Sequence, residues 1–147
     1  MSGPHNEHEP TAHEEVNALL RALLAGVRSA LGQQLVAMYL EGSLALDAFD
    51  PAASDVDFVV ATRDELPPHA VERLRAMHEA LAASGLPYAQ RIEGAYIPLA
   101  ALRRYDPAHA RHPTIGTDWD FQIAPFDESW ILKYSILREH GVVVCGP

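Results

Sequence analysis

The sequence has little cysteine and little positive charge. Its single cysteine, Cys145, excludes an internal disulfide framework and a cysteine metal cluster. Because Cys145 lies in a short apolar run, the sequence predicts a small buried hydrophobic residue there. Lysine and arginine number 11 against 20 aspartates and glutamates, which gives a formal net charge of −9. A surface for long nucleic acid needs basic patches that displace counterions, so this charge balance disfavours long nucleic acid as a partner.

Long hydrophobic segments are also lacking. No stretch has the length and flanks of a signal peptide or a membrane span, so we expect a cytoplasmic chain without a membrane partner. With 147 residues, of which 48% are hydrophobic, the chain can build one core and is too short for two ordinary domains. The first ten residues are polar and contain Gly, Pro and His. We expect residues 1–10 to be a disordered tail and residues 11–147 to form one domain.

The central stretch, residues 35–60, contains two apolar runs joined by a polar crossing. The first run ends in Gly42-Ser43, and after eleven further residues Asp55 and Asp57 open the second run. Apolar runs bounded by Gly, Pro, Ser and Asp predict buried strands. A strand that ends in Gly-Ser leaves backbone N–H groups free at the turn, where they favour a phosphate. Glycine lets the backbone approach that phosphate closely.

The two aspartates predict a metal site. Asp55 and Asp57 are two residues apart on a predicted strand, so both carboxylates project from one face. They repel each other, and burying them without a cation is costly. Magnesium fits because it takes oxygen ligands from one or two carboxylates together with substrate phosphates. The turn and the carboxylates together predict a nucleoside triphosphate site, whereas the alternative is a turn glycine beside two solvent-facing aspartates.

These motifs resemble the signature of the DNA polymerase beta-like nucleotidyltransferase superfamily. Within it, the blocks G-S-L-A-L, F-D-P-A-A-S-D-V-D-F and I-L-R-E-H-G-V-V-V-C-G-P resemble the N-terminal domain of aminoglycoside (streptomycin/spectinomycin) adenylyltransferases. The resemblance covers residues 36–147 and implies an α/β (α+β) fold with a short mixed β-sheet flanked by helices. It also implies a magnesium-dependent enzyme that transfers a nucleoside monophosphate, AMP from ATP, to a hydroxyl of a small acceptor such as an aminoglycoside.

The resemblance implies roles for particular residues. Asp55 and Asp57 would hold the metal, while Gly42 and Ser43 would bind the β- and γ-phosphates of the nucleotide. The family has a third carboxylate on the strand beside its D-x-D motif, and Glu93 falls where that residue is expected. Glu93 would accept the hydroxyl proton or complete the metal site; a solvated edge glutamate is the alternative.

The sequence departs from the family pattern at its end. The adenylyltransferases continue after the corresponding Gly-Pro into a helical domain that supplies much of the acceptor pocket, whereas Pro147 is the last residue here. We therefore expect that the helical domain is absent or comes from a protein partner. Two other functions stay open: a stand-alone nucleotidyltransferase that modifies a protein, such as the antitoxin of a toxin pair, and a non-catalytic nucleotide-binding domain.

The remaining segments predict the elements around the site. Thr11 and Glu14 match a capping box before a first helix. Pro67 and Pro68 start a second helix, a candidate crossover that ends before Gly85. A strand is predicted over residues 88–97, in which Gly94 would let a substrate approach closely. Residues 99–119 predict a short helical turn and then a loop, residues 121–124 a short strand, and Asp127 the cap of a last helix.

Overall fold

The computed structural model describes residues 11, 13–41, 50, 55–104, 107, 111–116, 121–125 and 142–146. Several sequence predictions lie outside these residues. They are the tail at residues 1–10, the phosphate-binding turn at Gly42 and Ser43, and the last helix that Asp127 would cap.

The described part of the chain contains three α-helices and six strands. Their bounds are α1 (Glu14–Leu31), β1 (Leu35–Glu41), β2 (Val56–Thr62), α2 (Pro68–Ala82), β3 (Ile92–Pro98), α3 (Leu99–Arg103), β4 (Arg111–Ile115), β5 (Gln122–Pro125) and β6 (Val142–Cys145). A short 3-10 turn, Gly32–Gln34, joins α1 to β1.

The strands form one mixed sheet in the order β5-β4-β3-β2-β1-β6. The β2 and β3 strands are parallel, and the other four neighbouring pairs are antiparallel. Parallel neighbours need a crossover connection, and α2 supplies it, as the sequence predicted. The predicted fold class, a short mixed sheet flanked by helices, is confirmed.

The sheet is covered on both faces near its centre. On one face, called here the α1/α2 face, Phe58 and Val60 of β2 pack in one buried cluster with Leu23 of α1 and Leu74 of α2. On the other, called here the α3 face, Val59 belongs to a second cluster that includes Leu102 of α3. Neighbouring residues of a strand point to opposite faces, so a strand buried on both sides is apolar almost throughout. This explains the sequence V-D-F-V-V-A-T of β2, in which Asp57 and the terminal Thr62 are the polar exceptions.

The start of α1 differs from the predicted capping box. The helix begins at Glu14, and its N-cap His13 makes no side-chain cap hydrogen bond. The Thr11 hydroxyl instead donates to Oδ1 of Asn17 at 2.8 Å, and Nδ2 of Asn17 donates to the Thr11 carbonyl at 2.9 Å. Asn17 is buried, and these bonds satisfy its amide. Glu14 points away to an exposed ion pair with Arg21, so the capping-box prediction is wrong.

Two segments around β3 also differ from the predictions. The strand begins at Ile92 rather than at residue 88, because Tyr88 has a φ of 67°, outside the β region, and its carbonyl accepts a turn hydrogen bond from Arg91 N at 2.9 Å. The short helical turn predicted after residue 99 is present as α3. The loop predicted after it is wrong at residues 111–115, which form β4 between β3 and β5.

Two further residues settle smaller predictions. Cys145 carries a free thiol and is half-buried rather than fully buried, at the edge of the cluster on the α1/α2 face. His112 belongs to the segment predicted as a loop, but it lies in β4 and is 3% exposed. No helix within the described ranges is long and apolar enough to cross a membrane.

Candidate active site

Three carboxylates meet at the amino ends of the parallel strands. Asp57 on β2 is paired in register with Glu93 on β3, and Asp55 comes directly before β2. Paired residues of neighbouring strands point to the same face, and Asp55 shares that face because it is two residues from Asp57. Each of the three residues offers a carboxylate oxygen that lies within 4.8 Å of the other two. The structure thus brings together the three acids that the sequence singled out.

This acidic cluster lies on the α3 face of the sheet. Asp55, Asp57 and Glu93 are all half-buried, whereas Val59 and Ala95, next along the same face, are buried. Apolar neighbours lower the local dielectric, so the mutual repulsion of the three carboxylates is stronger here than in open water. The arrangement therefore favours a bound cation.

The donor set fits a hard divalent ion. Mg²⁺ prefers oxygen ligands at about 2.0–2.1 Å, so two ligands on opposite sides of it are about 4.2 Å apart. The oxygens of the acidic cluster, all within 4.8 Å of one another, can reach that spacing through small side-chain rotations. Within the described residues, Asp55, Asp57 and Glu93 are the group that can hold such an ion.

Buried aromatic residues lie behind the cluster, on the α1/α2 face. Tyr96 of β3 is hydrogen-bonded through its hydroxyl to Nε2 of His78 on α2, and the rings of Phe58 and Phe121 pack against His78. Burial lowers the pKa of His78 from 6.5 to about 4 and raises the pKa of the Tyr96 hydroxyl well above its usual value. His78 is therefore neutral at physiological pH. No local sequence pattern pairs His78 with Tyr96, which lies 18 positions later in the chain.

Gly94 does not face the substrate side, contrary to the prediction. A Cβ at Gly94 would lie 2.6 Å from Cζ of Phe58 and nearer still to two other atoms of that ring. Phe58 belongs to the cluster on the α1/α2 face, so the space left by the missing side chain is on the opposite face from Glu93. The glycine makes room for an aromatic ring of the core rather than for a substrate.

A cavity of about 180 Å³ lies at the other end of β2 and β3. Its lining includes Thr62, Leu66, Tyr96, Pro98, Arg111 and His112. Thr62 and Pro98 end the two parallel strands, whereas the acidic cluster lies where those strands begin. The cavity is therefore separate from the acidic cluster and does not serve it as a binding pocket.

The fold can be compared with known proteins. No family model and no curated protein matches the sequence. Among solved structures, the chain is similar to the spectinomycin adenyltransferase AAD(9) from Enterococcus faecialis, determined with ATP and spectinomycin, with a TM-score of 0.61 and 17% identity. The match covers 88% of this chain and 55% of that chain, so this chain spans about half the length of the adenyltransferase. The likeness confirms a nucleotidyltransferase fold; the superfamily and the roles of individual residues stay predictions.

Proposed function

We propose that this protein is a magnesium-dependent nucleotidyltransferase that moves a nucleoside monophosphate, AMP from ATP, to a hydroxyl of a small acceptor. The observation that carries the proposal is the acidic cluster, whose three carboxylate oxygens lie within 4.8 Å of one another. The nucleotidyltransferase fold of the chain supports it. Fold alone does not determine activity, so the argument depends on the carboxylates.

Asp55 and Asp57 are proposed to hold the metal. Their place at the start of a buried strand fixes the backbone that carries them, because Val56 between them is fully buried and its N–H donates to the Arg91 carbonyl at 2.8 Å. Bound Mg²⁺ would supply neutralisation of the triphosphate charge and alignment of the reacting groups. Gly42 and Ser43, which precede this strand in the sequence, are proposed to donate hydrogen bonds to the β- and γ-phosphates.

Glu93 is proposed to complete the metal site of Asp55 and Asp57 with one carboxylate oxygen and to accept the proton of the acceptor hydroxyl with the other. As the hydroxyl oxygen of the acceptor bonds to the α-phosphorus, the bond from the α-phosphorus to the bridging oxygen breaks and pyrophosphate leaves with the electron pair. A positioned base of this kind contributes about 10²–10⁴ in rate. The register that pairs Glu93 with Asp57 supports this proposal, because the two side chains then lie beside each other.

The acceptor is proposed to be small and cationic, as an aminoglycoside is. A net charge of −9 attracts a cation over distances of about a Debye length, which favours such a molecule. The structural neighbour was determined with ATP and spectinomycin, which supports a nucleotide together with a small acceptor. We also propose that a helical partner protein contributes to the acceptor pocket.

Transfer can be tested with ATP labelled at the α-phosphate. Incubation with Mg²⁺ and a panel of aminoglycosides should release pyrophosphate and label one acceptor. The Asp57→Asn variant should do neither, whereas Asp64→Asn, which changes an exposed aspartate beyond the far end of β2, should behave as the wild type. Label on a protein rather than on a small molecule would favour the protein-modifying alternative. Binding of Mg-ATP without any transfer would favour the non-catalytic nucleotide-binding domain.

A further inference from the structure

A close contact links β2 and β3 directly behind the acidic cluster. Phe58 on β2 is paired in register with Gly94 on β3, and the Phe58 ring occupies the position that a side chain at residue 94 would need. A Cβ there and the ring would have to move apart by about 1 Å to reach ordinary carbon–carbon contact.

The Phe58 ring cannot easily give way. It is fully buried, and the Tyr96 ring packs edge-on against it with 5.6 Å between centroids. The His78 ring stacks on it at 6.1 Å, and His78 is itself hydrogen-bonded to Tyr96. Because these partners hold the ring, strain at residue 94 would move the backbone of β3 relative to β2.

That backbone carries the acidic cluster. The pairs Asp57–Glu93 and Phe58–Gly94 follow each other directly in the register of the two strands. A shift at residue 94 therefore reaches Glu93 through a single peptide unit, which is planar and rigid. Metal–oxygen distances tolerate only a few tenths of an ångström, so a shift of about 1 Å would separate Glu93 from the site of Asp57.

We infer that Phe58 and Gly94 are positioning residues, whose contact on the α1/α2 face sets the distance between Asp57 and Glu93 on the α3 face. The inference rests on the proposed function, in which those two carboxylates act together. It gives the glycine a role in the site without any contact with substrate.

The test is the affinity for Mn²⁺ in the presence of α,β-methylene-ATP, measured by electron paramagnetic resonance, with urea unfolding measured in parallel. Gly94→Ala should weaken Mn²⁺ binding about tenfold or more, since residues that orient metal ligands typically contribute about 10–100-fold to metal affinity. The double variant Phe58→Leu/Gly94→Ala should regain affinity close to that of Phe58→Leu alone, because leucine leaves room for the added methyl group. If the contact between Phe58 and Gly94 were merely structural, Gly94→Ala would lower the stability in urea but would leave the Mn²⁺ affinity unchanged, and the double variant would then have no affinity to regain.

Gly26 offers a matched control. A Cβ at Gly26 would lie 2.5 Å from Cγ of Met77, so Gly26→Ala also forces a methyl group against an apolar side chain, here between two half-buried residues. Here the neighbour is a flexible side chain between α1 and α2, away from the acidic cluster. Gly26→Ala should leave Mn²⁺ affinity within about twofold of the wild type.

The outcomes separate this inference from the proposed function. If the wild type does not bind Mn²⁺ with the analogue, or if Asp57→Asn binds equally well, the proposed function fails. If the wild type binds and Gly94→Ala binds as tightly, only the positioning role is overturned. If Gly94→Ala does not fold, Phe58→Leu is compared with the double variant Phe58→Leu/Gly94→Ala. A Mn²⁺ affinity about tenfold lower in the double variant would contradict a role exerted through the Phe58 ring.

Discussion

Mild acid should destabilise the protein through His78. This ring is 2% exposed, and burial holds its pKa at about 4 against 6.5 for the free side chain. Between these two pH values the unfolded chain binds a proton that the folded chain does not, so stability falls as the pH is lowered. The stability that the neutral His78 ring contributes is fully present above about pH 6.5. It is lost as the pH falls towards about 4.

The size of the effect follows from the shift. Each pKa unit corresponds to about 1.4 kcal/mol, so the full effect is about 3 kcal/mol. By pH 5 about 2 kcal/mol of it should be lost, a large part of the stability of an ordinary domain. Restricting the measurement to pH 7.5–5 keeps most carboxylates ionised, so their titration contributes little.

The assay is urea unfolding of the wild type and of His78→Gln at several pH values in that range. Glutamine can still hydrogen-bond to the Tyr96 hydroxyl but does not titrate. The variant should be less stable at pH 7.5, since it loses ring packing against Phe58 and Phe121, yet its stability should change less with pH. His69→Gln, at an exposed position of the same helix, should keep the wild-type pH dependence. Equal pH dependence in the wild type and His78→Gln would refute the reasoning.

Three further predictions concern the helix start and the proposed site. Asn17→Ala should lower the free energy of unfolding by about 1–3 kcal/mol in urea titrations, because it removes the buried amide that hydrogen-bonds to Thr11. An unchanged free energy of unfolding would mean that these hydrogen bonds do not stabilise α1. Ser43→Ala should weaken the binding of ATP more than the binding of AMP in calorimetric titrations. Equal losses of affinity for the two nucleotides would mean that Ser43 has no role in binding the β- and γ-phosphates. Glu93→Gln should reduce AMP transfer by about 10²–10⁴ while the protein stays folded, and a wild-type rate would make Glu93 an ordinary strand residue.

The sequence predicted the acidic cluster for a physical reason. Side chains alternate along a strand, so Asp55 and Asp57 had to share a face once residues 56–62 formed a strand. No local pattern, however, determines which residue of the next strand stands beside Asp57. Glu93 was chosen through a family resemblance, and the register that pairs it with Asp57 is visible only in the structure.

Two of the predictions that failed depended on contacts distant in sequence. The segment R-H-P-T-I of β4 shows no alternation of apolar and polar residues and contains a proline, yet pairing with β3 and β5 makes it a strand. Gly94 was assigned to a substrate because a glycine beside a candidate base predicts close approach. Its real neighbour, Phe58, lies 36 positions earlier in the sequence. Tertiary packing decided both cases.

The central claim is that the acidic cluster binds a nucleotide through a metal, and a thermal-shift measurement tests it most directly. Saturating Mg-ATP should raise the melting temperature of the wild type, because a ligand at about 100 times its Kd stabilises the folded state by about 2.7 kcal/mol. ATP with EDTA should raise it far less, and Asp57→Asn should show no rise with Mg-ATP. An equal rise with and without Mg²⁺, or an unchanged rise in Asp57→Asn, would contradict the account.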